Sequence, residues 1–241
     1  MNFAGIDGCP FGWFCVQIEN KRFTCFLVEN LSQLPSGFLS NNRIWIDMPI
    51  GFASKNIKRS LDAKLRKKLG NKSSSVFTPP LREALNENNK KAAKSINKDI
   101  SGKSLSEQIL NIMPKMRELD NFLQQYPEHN IFESHPELNF KSLNKNRDLN
   151  TKKGKKSGFK QRLEILSKHN SKIPAFVENV LKQELRKNVK KDDILDASCL
   201  ALANYLAGEN NVYFIENDPE FPVDDCGIRI RVAYLKPKFR F

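Results

Sequence analysis

The chain of 241 residues has no long hydrophobic run, because every apolar stretch is shorter than the roughly 20 residues that a membrane-spanning helix needs. The first residues enter an apolar stretch directly, without the basic segment that begins a signal peptide. Cysteine is scarce as well: the five cysteines are scattered and form no C-x-x-C pair, which argues against both a zinc site and a disulfide framework. We therefore expect a globular protein in a reducing, cytoplasmic setting.

Negative charge is also in short supply, since 27 Asp and Glu face 40 Lys and Arg and leave a net charge of +13. The excess lies in two segments: residues 55–72 carry eight basic residues and one acid, and residues 141–190 carry fifteen basic residues and four acids. Clustered positive charge of this kind is typical of a protein whose partner is rich in phosphate, such as DNA or RNA. The alternative is an ordinary lysine-rich surface without such a partner.

Short segments with strand character and longer amphipathic segments alternate along the chain, which predicts an α/β fold. Residues 3–6 are typical of a buried central strand, and residues 13–18 and 22–28 complete an antiparallel meander with it. The length and the 39% hydrophobic content suit a single domain, residues 1–241, that carries insertions. Helices are predicted at 57–69, 82–100, 105–126 (which Pro114 should kink or divide), 159–169, 174–188 and 190–207.

Three of the predicted strands end on an acidic residue that is followed by a turn. Asp7, Asp47 and Glu133 each come directly after a short apolar segment. A buried carboxylate is costly unless it is paired or bound to a metal ion, so packing explains such acids poorly. The alternative is that Asp7 and Asp47 only form hydrogen bonds within their own turns.

The last predicted helix, which should pack on the sheet, carries three acids near its start. Asp192 suits the N-cap and Asp193 the first turn, where the helix dipole favours negative charge. Asp196 shares a stripe with apolar residues that should face the sheet, so capping does not explain it. Because Asp193 and Asp196 are three residues apart, both should project from one side of the helix.

Carboxylates that come from several elements, without a cluster of His or Cys, are typical ligands of Mg²⁺ or Mn²⁺. Two such ions about 4 Å apart can activate a water molecule and stabilise the leaving oxygen in phosphodiester cleavage. His135 follows the third strand, but a histidine in a turn is more often a structural group than a base. The predicted catalytic acids are Asp7, Asp47, Glu133, Asp193 and Asp196, and the predicted metal ligands are Asp7, Glu133, Asp193 and Asp196.

Five motifs follow one another along residues 3–208: GIDGCPFGW, IDMPIG, SSSVFTPP, ESHPE and DDILDASCLALA. Their order resembles an uncharacterised family of predicted nucleases with the ribonuclease H-like fold. The resemblance implies a mixed sheet that begins with an antiparallel meander, continues with parallel strands and has helices on both faces. It also implies an acid on the first strand, here Asp7, an acid on a later strand, here Glu133 or Asp47, and an acid pair on the last helix. The pair Asp193-x-x-Asp196 is similar to that of RuvC-type resolvases. Minimal ribonuclease H domains have no counterpart of residues 52–129, so the resemblance also implies a helical insertion at about these positions.

We therefore expect a nuclease that depends on Mg²⁺ or Mn²⁺ and cleaves DNA or RNA. One alternative is a non-catalytic nucleic-acid-binding protein whose acids only cap turns. Another is a phosphotransferase related to sugar kinases, which also open with a strand, an acid and a glycine turn, although the chain lacks a second glycine-rich phosphate motif. The predicted nucleic-acid contacts are Lys58, Arg59, Arg66, Lys67, Lys152, Lys153, Lys155, Lys156, Lys160 and Arg162.

Overall fold

A mixed sheet of seven strands dominates the computed structural model, which describes residues 1–128, 130–184 and 187–237. Every residue of the two central segments, Ala4 to Ile6 and Ile44 to Ile46, is buried, which explains why neither segment contains a polar side chain. The described strands are β1 (Asn2–Gly8), β2 (Trp13–Glu19), β3 (Arg22–Val28), β4 (Asn42–Ile46), β5 (Ile131–Ser134), β6 (Val212–Glu216) and β7 (Arg231–Leu235).

The strand order across the sheet is β3-β2-β1-β4-β5-β7-β6. The first three strands form an antiparallel meander, whereas β4, β5 and β7 run parallel to β1 and β6 closes the edge antiparallel to β7. This mixture confirms the predicted fold class and is consistent with a ribonuclease H-like arrangement. Because β1 and β4 are parallel neighbours, the acids at their ends reach the same edge of the sheet.

Helices cover both faces of the sheet. One core cluster joins the sheet to the last four helices, and a second joins the other face to the long fifth helix. The described helices are α1 (Phe38–Asn41), α2 (Leu61–Leu69), α3 (Arg82–Leu85), α4 (Lys90–Ser101), α5 (Glu107–Gln125), α6 (Pro136–Leu143), α7 (Lys156–His169), α8 (Ile173–Gln183) and α9 (Lys191–Ala207).

Helix α9 lies directly on the central strand, as its small residues predict. A Cβ atom at Gly5 of β1 would overlap the carbonyl oxygen of Ala197 and the backbone nitrogen of Ala201. Glycine on the strand and alanines on the helix therefore allow an approach that larger side chains would prevent. This close packing fixes α9 against β1 and so sets the position of the acids on the first turns of α9.

Three of the predicted helices differ clearly from the observed ones. Residues 82–100 form α3 and α4 with a break between them, because Asn89 caps α4 by accepting hydrogen bonds from the backbone of Lys91 and Ala92. Helix α5 continues through Pro114, which does not divide it, since buried residues on both sides hold its stripe against the core. The helix predicted at 174–188 corresponds to α8, which ends earlier, at Gln183. Residues 185–186 lie outside the described segments.

The C-terminal segment supplies sheet strands and ties the loops together. Strand β7 lies inside the sheet between β5 and β6. The side chain of Asn217 accepts hydrogen bonds from the backbone nitrogens of Ser60 (2.8 Å) and Leu61 (3.1 Å) and so caps α2. Between β4 and β5, the region of the predicted insertion contains helices α2 to α5. Within the described residues, no helix is both long and apolar enough to cross a membrane.

Candidate metal centre

Three aspartates from three different elements meet at one edge of the sheet. Asp7 lies near the end of β1, Asp47 follows the last residue of β4, and Asp196 lies on α9. The backbone nitrogen of Asp47 donates to the carbonyl of Ile6 at 2.9 Å, which continues the β1–β4 pairing up to the acids. One carboxylate oxygen from each aspartate lies within 4.8 Å of the other two. We call Asp7, Asp47 and Asp196 the aspartate cluster.

Burial and mutual repulsion disfavour the charged form of these acids. Asp7 is 7% exposed and Asp196 only 1%. Burial raises the pKa of Asp7 well above its ordinary value, and the nearby charges of Asp47 and Asp196 raise it further. Burial also raises the pKa of Asp47 and of Asp196 to about 6, although Lys153 opposes both shifts. The aspartate cluster therefore carries more negative charge than Lys153 alone can balance, and a divalent cation would supply the missing positive charge.

Lys153 reaches the aspartate cluster from the basic loop before α7. Its Nζ donates to Oδ2 of Asp196, and its side chain remains 42% exposed. Burial disfavours the charge of Lys153, but Asp196, Asp7 and Asp47 together hold its pKa well above the usual range. The loop is anchored next to it: Lys72 donates to the carbonyl of Thr151 at 2.7 Å, and Gly158 leaves room for the carbonyl of Lys152. One lysine is thus positioned beside three acids.

Glu133 lines the neighbouring pocket but has its own counter-ion. Both of its carboxylate oxygens accept from Nη2 of Arg59 at 2.9 Å, and Oε2 also accepts from the backbone of Ile50 at 2.8 Å. Arg59 in turn donates to Asp62 at 3.1 Å. Burial raises the pKa of Glu133 to about 7 against the lowering effect of Arg59. The structure therefore places Glu133 in an ion pair beside the aspartate cluster. Of the two acids that the resemblance suggested for a later strand, Asp47 is the one that lies with Asp7 and Asp196.

Asp193 caps α9 and lies next to the aspartate cluster without joining it. Its Oδ2 accepts a hydrogen bond from the backbone nitrogen of Lys190 at 2.9 Å. Its charge contributes to the raised pKa values of Asp7 and Asp47, after the larger effect of burial. Asp193 and Asp196 thus have different environments, since one is at the helix start and the other faces the sheet.

A pocket of about 290 Å³ opens beside the aspartate cluster and contains a residue that sequence reasoning missed. Glu137, in the first turn of α6, lines this pocket with Asp47, Glu133, Lys153 and Asp196. The sequence did carry a signal, because Pro136 is typical of the first position of a helix and places the second glutamate of ESHPE in the first turn. His135 lines the same pocket, and burial lowers its pKa.

The predicted nucleic-acid contacts divide into exposed and buried residues. Arg59 is buried by its ion pairs, and Arg162 is only 1% exposed because it pairs with Glu137, so neither can grip an external phosphate. Arg66 is partly buried and donates to Val76 and Thr78. Lys153 is the lysine of the aspartate cluster. The exposed members of the set are Lys58, Lys67, Lys152, Lys155, Lys156 and Lys160.

Comparison with known proteins gives a family match. A model of a family described as "Protein of unknown function (DUF429)" matches residues 5–220, which include the aspartate cluster and the pocket. No curated protein and no solved structure matches the chain.

Proposed function

The chain belongs to the DUF429 family, and we propose that it is a metal-dependent nuclease that cleaves phosphodiester bonds in DNA or RNA. The aspartate cluster is the observation that carries the proposal. Three acids from separate elements converge within 4.8 Å although burial raises the pKa of each. Repulsion between the three acids destabilises the folded state, and a bound cation would offset that repulsion.

The donor set of the aspartate cluster fits Mg²⁺ or Mn²⁺. Carboxylate oxygens are hard ligands, and the cluster contains no thiolate or imidazole that would favour zinc. Asp7, Asp47 and Asp196 would hold the ion. When bound in pairs, such ions supply an activated water and stabilise the leaving oxygen of a phosphodiester.

The protein's own groups have separate roles in this proposal. The aspartates are held by β1, β4 and α9, which are rigid elements, so their oxygens need little reorganisation on ion binding. Lys153 places a positive charge beside Asp196, where it can pair with a phosphate oxygen of the substrate. Glu133 and Asp62 hold Arg59, which braces the loop after β4 by donating to the carbonyls of Ile50 and Gly51.

The distribution of exposed lysines supports a nucleic-acid substrate. Helix α2 and the loop that contains Lys153 both border the pocket. The same two elements carry exposed lysines, including Lys67 on α2 and Lys152 and Lys155 on the loop. Phosphate groups next to the reacting one could contact these lysines, which would add salt-dependent affinity.

The experiment is cleavage of end-labelled single strands, duplexes, RNA–DNA hybrids and branched DNA with Mg²⁺ or Mn²⁺. We expect the wild type to cut at least one substrate and EDTA to stop it, whereas Asp7→Asn and Asp196→Asn should lose at least about 100-fold in rate. Asp192→Asn is the matched control, because it removes the same charge one turn earlier on α9 and should retain cleavage.

Equal cleavage by the wild type, Asp7→Asn and Asp196→Asn would contradict the assignment, because the activity would then not depend on the cluster. Cleavage of no substrate, with binding of labelled nucleic acid retained, would instead favour the non-catalytic alternative. Stabilisation by ATP without cleavage would favour the phosphotransferase alternative.

A further inference from the structure

The pocket next to the aspartate cluster contains a buried carboxylate oxygen without a hydrogen-bond partner. Glu137 is 7% exposed, and its Oε1 accepts from Nη2 of Arg162. Its Oε2 is buried and has no partner among the described residues. Buried polar atoms are nearly always satisfied, so an oxygen left without a partner points to an absent ligand.

Glu137 lies close to two members of the aspartate cluster. It lines the pocket together with Asp47 and Asp196. Burial has the largest effect on the pKa of both aspartates and raises it, Lys153 lowers it, and the charge of Glu137 adds a smaller increase. The unpartnered oxygen therefore belongs to a carboxylate that adds to the negative charge of the cluster from the pocket side.

Two other residues that line the pocket also leave a buried polar atom without a partner. These atoms are Nδ1 of His135 and Oδ2 of Asp62. The other carboxylate oxygen of Asp62, Oδ1, accepts a hydrogen bond from Arg59. Unsatisfied atoms on three residues around one pocket favour a polar occupant over an apolar one.

A buried arginine, Arg162, holds the carboxylate of Glu137 in place. Arg162 is buried under the ring of Phe140, with its guanidinium carbon 5.5 Å from the ring centroid, and it donates to the carbonyl of Gly158 at 3.3 Å. This arrangement fixes Oε1 of Glu137 and leaves Oε2 as the oxygen available to a ligand. Outer partners of this kind orient carboxylates that bind metal ions.

We propose that Glu137, together with Asp47 and Asp196, holds a second divalent cation beside the one held by Asp7, Asp47 and Asp196. The inference rests on the proposed function and deepens it, because it identifies the fourth carboxylate of a two-ion centre. Asp47 and Asp196 can contribute to both positions, since a carboxylate has two oxygens and can bridge two ions. Lys153 would have to leave Asp196 for both ions to bind, and its partly exposed side chain permits this movement.

The test counts bound ions with Mn²⁺ alone, by calorimetric titration and by electron paramagnetic resonance of the purified 241-residue chain. We expect two Mn²⁺ per wild-type chain, with a spin-coupled signal from neighbouring ions. Glu137→Gln should bind one Mn²⁺ without the coupled signal. The matched control is Glu133→Gln, which removes a carboxylate from the same pocket whose oxygens are both occupied by Arg59, and it should still bind two.

The possible results distinguish the second ion position from the proposed nuclease activity. Two ions in Glu137→Gln, or only one in the wild type, would overturn the second position and leave a single-ion nuclease standing. No ion in the folded wild type would overturn the proposed function and this inference together. If Glu137→Gln does not fold, the double variant Glu137→Gln/Arg162→Gln removes the buried charge pair as a unit and should also bind one ion.

Discussion

The aspartate cluster and the Arg82 network both contain buried acids, but the acids have different partners in the two regions. In the network, Arg82 donates to both oxygens of Asp120, at 2.7 and 3.1 Å, and to Asp224. Asp224 also accepts from the backbone nitrogens of Phe52, Cys226 and Ile228 at 2.9 to 3.1 Å. In the cluster, three aspartates face one another and share one partly exposed lysine.

The difference shows that burial of an acid does not by itself indicate function. An acid whose oxygens accept from a buried arginine and from the backbone is satisfied within the fold, as Asp224 and Glu133 are. The negative charge of an acid that faces other acids is not balanced within the fold, so a cation can bind there. Four predictions follow this distinction, and they are ordered from the largest expected effect to the smallest.

The largest effect is expected in the Arg82 network. Asp224→Ala should lower the free energy of unfolding by about 3–5 kcal/mol, because it leaves a buried guanidinium and three backbone donors without their acceptor. Urea denaturation measures the loss. Asp224→Asn keeps an acceptor for the backbone and should lose less. A loss below about 1 kcal/mol for Asp224→Ala would mean that the network is not structural.

The second prediction concerns stabilisation by the cation. Mn²⁺ at about 100 times its dissociation constant should raise the unfolding free energy of the wild type by about 2.7 kcal/mol. Asp47→Asn should lose most of this stabilisation, because one of the three ligands is gone. Asp120→Asn should keep it, provided that the variant folds, because Asp120 is not a ligand. Thermal and urea denaturation with and without Mn²⁺ give the comparison, and equal gains in the wild type and Asp47→Asn would contradict it.

The third prediction is the pH dependence of the metal-free protein. The pKa of Asp47 is about 6 in the folded state, whereas in the unfolded chain it returns to its ordinary value near 3.8. Between these values the folded state binds more protons at Asp47, so the contribution of Asp47 to stability should be complete below about pH 4 and should be lost as the pH rises through about 6. Asp47→Asn lacks this contribution. In EDTA, we expect the stability difference between the two proteins to shift in favour of the variant by about 2 kcal/mol over this range.

That shift would be absent if the oxygens of Asp47 accepted hydrogen bonds from an arginine and the backbone, as those of Asp224 do. A difference that stays constant with pH, or that shifts in favour of the wild type as pH rises, would contradict the description of the cluster as acids in mutual repulsion.

The smallest effect is expected at Lys153. Lys153→Met removes the positive charge that a cation must displace, so the affinity for Mn²⁺ should rise about fivefold, or ~1 kcal/mol. Lys152→Met is the matched control, since it removes a neighbouring exposed charge without a partner in the cluster. Isothermal titration measures both. Weaker binding in Lys153→Met than in Lys152→Met would show that the lysine supports the ion and does not compete with it.

Much of the fold and part of the candidate centre could be predicted from local sequence. Asp7 and Asp47 follow apolar strands, and Asp196 lies on the apolar side of a helix, so each position was predicted from neighbouring residues alone. The parallel pairing of β1 and β4 then brings the first two together. Metal binding, catalysis and nucleic-acid contact by these residues remain predictions.

What could not be predicted depends on partners that are distant in the chain. Arg59 and Arg162 lie in basic segments that suggested an exposed surface, yet each is buried against a glutamate, at positions 133 and 137 respectively. No local pattern distinguishes such an arginine from an exposed one. The C-terminal segment showed no functional pattern, because Asn217 and Asp224 act by binding loops that lie more than 100 residues away.

The most direct test of the central claim is the anomalous difference map from a crystal soaked in Mn²⁺. We predict a manganese peak coordinated by one carboxylate oxygen from each of Asp7, Asp47 and Asp196, with Lys153 displaced from Asp196. A map without a peak at these aspartates, with Lys153 still donating to Asp196, would contradict it.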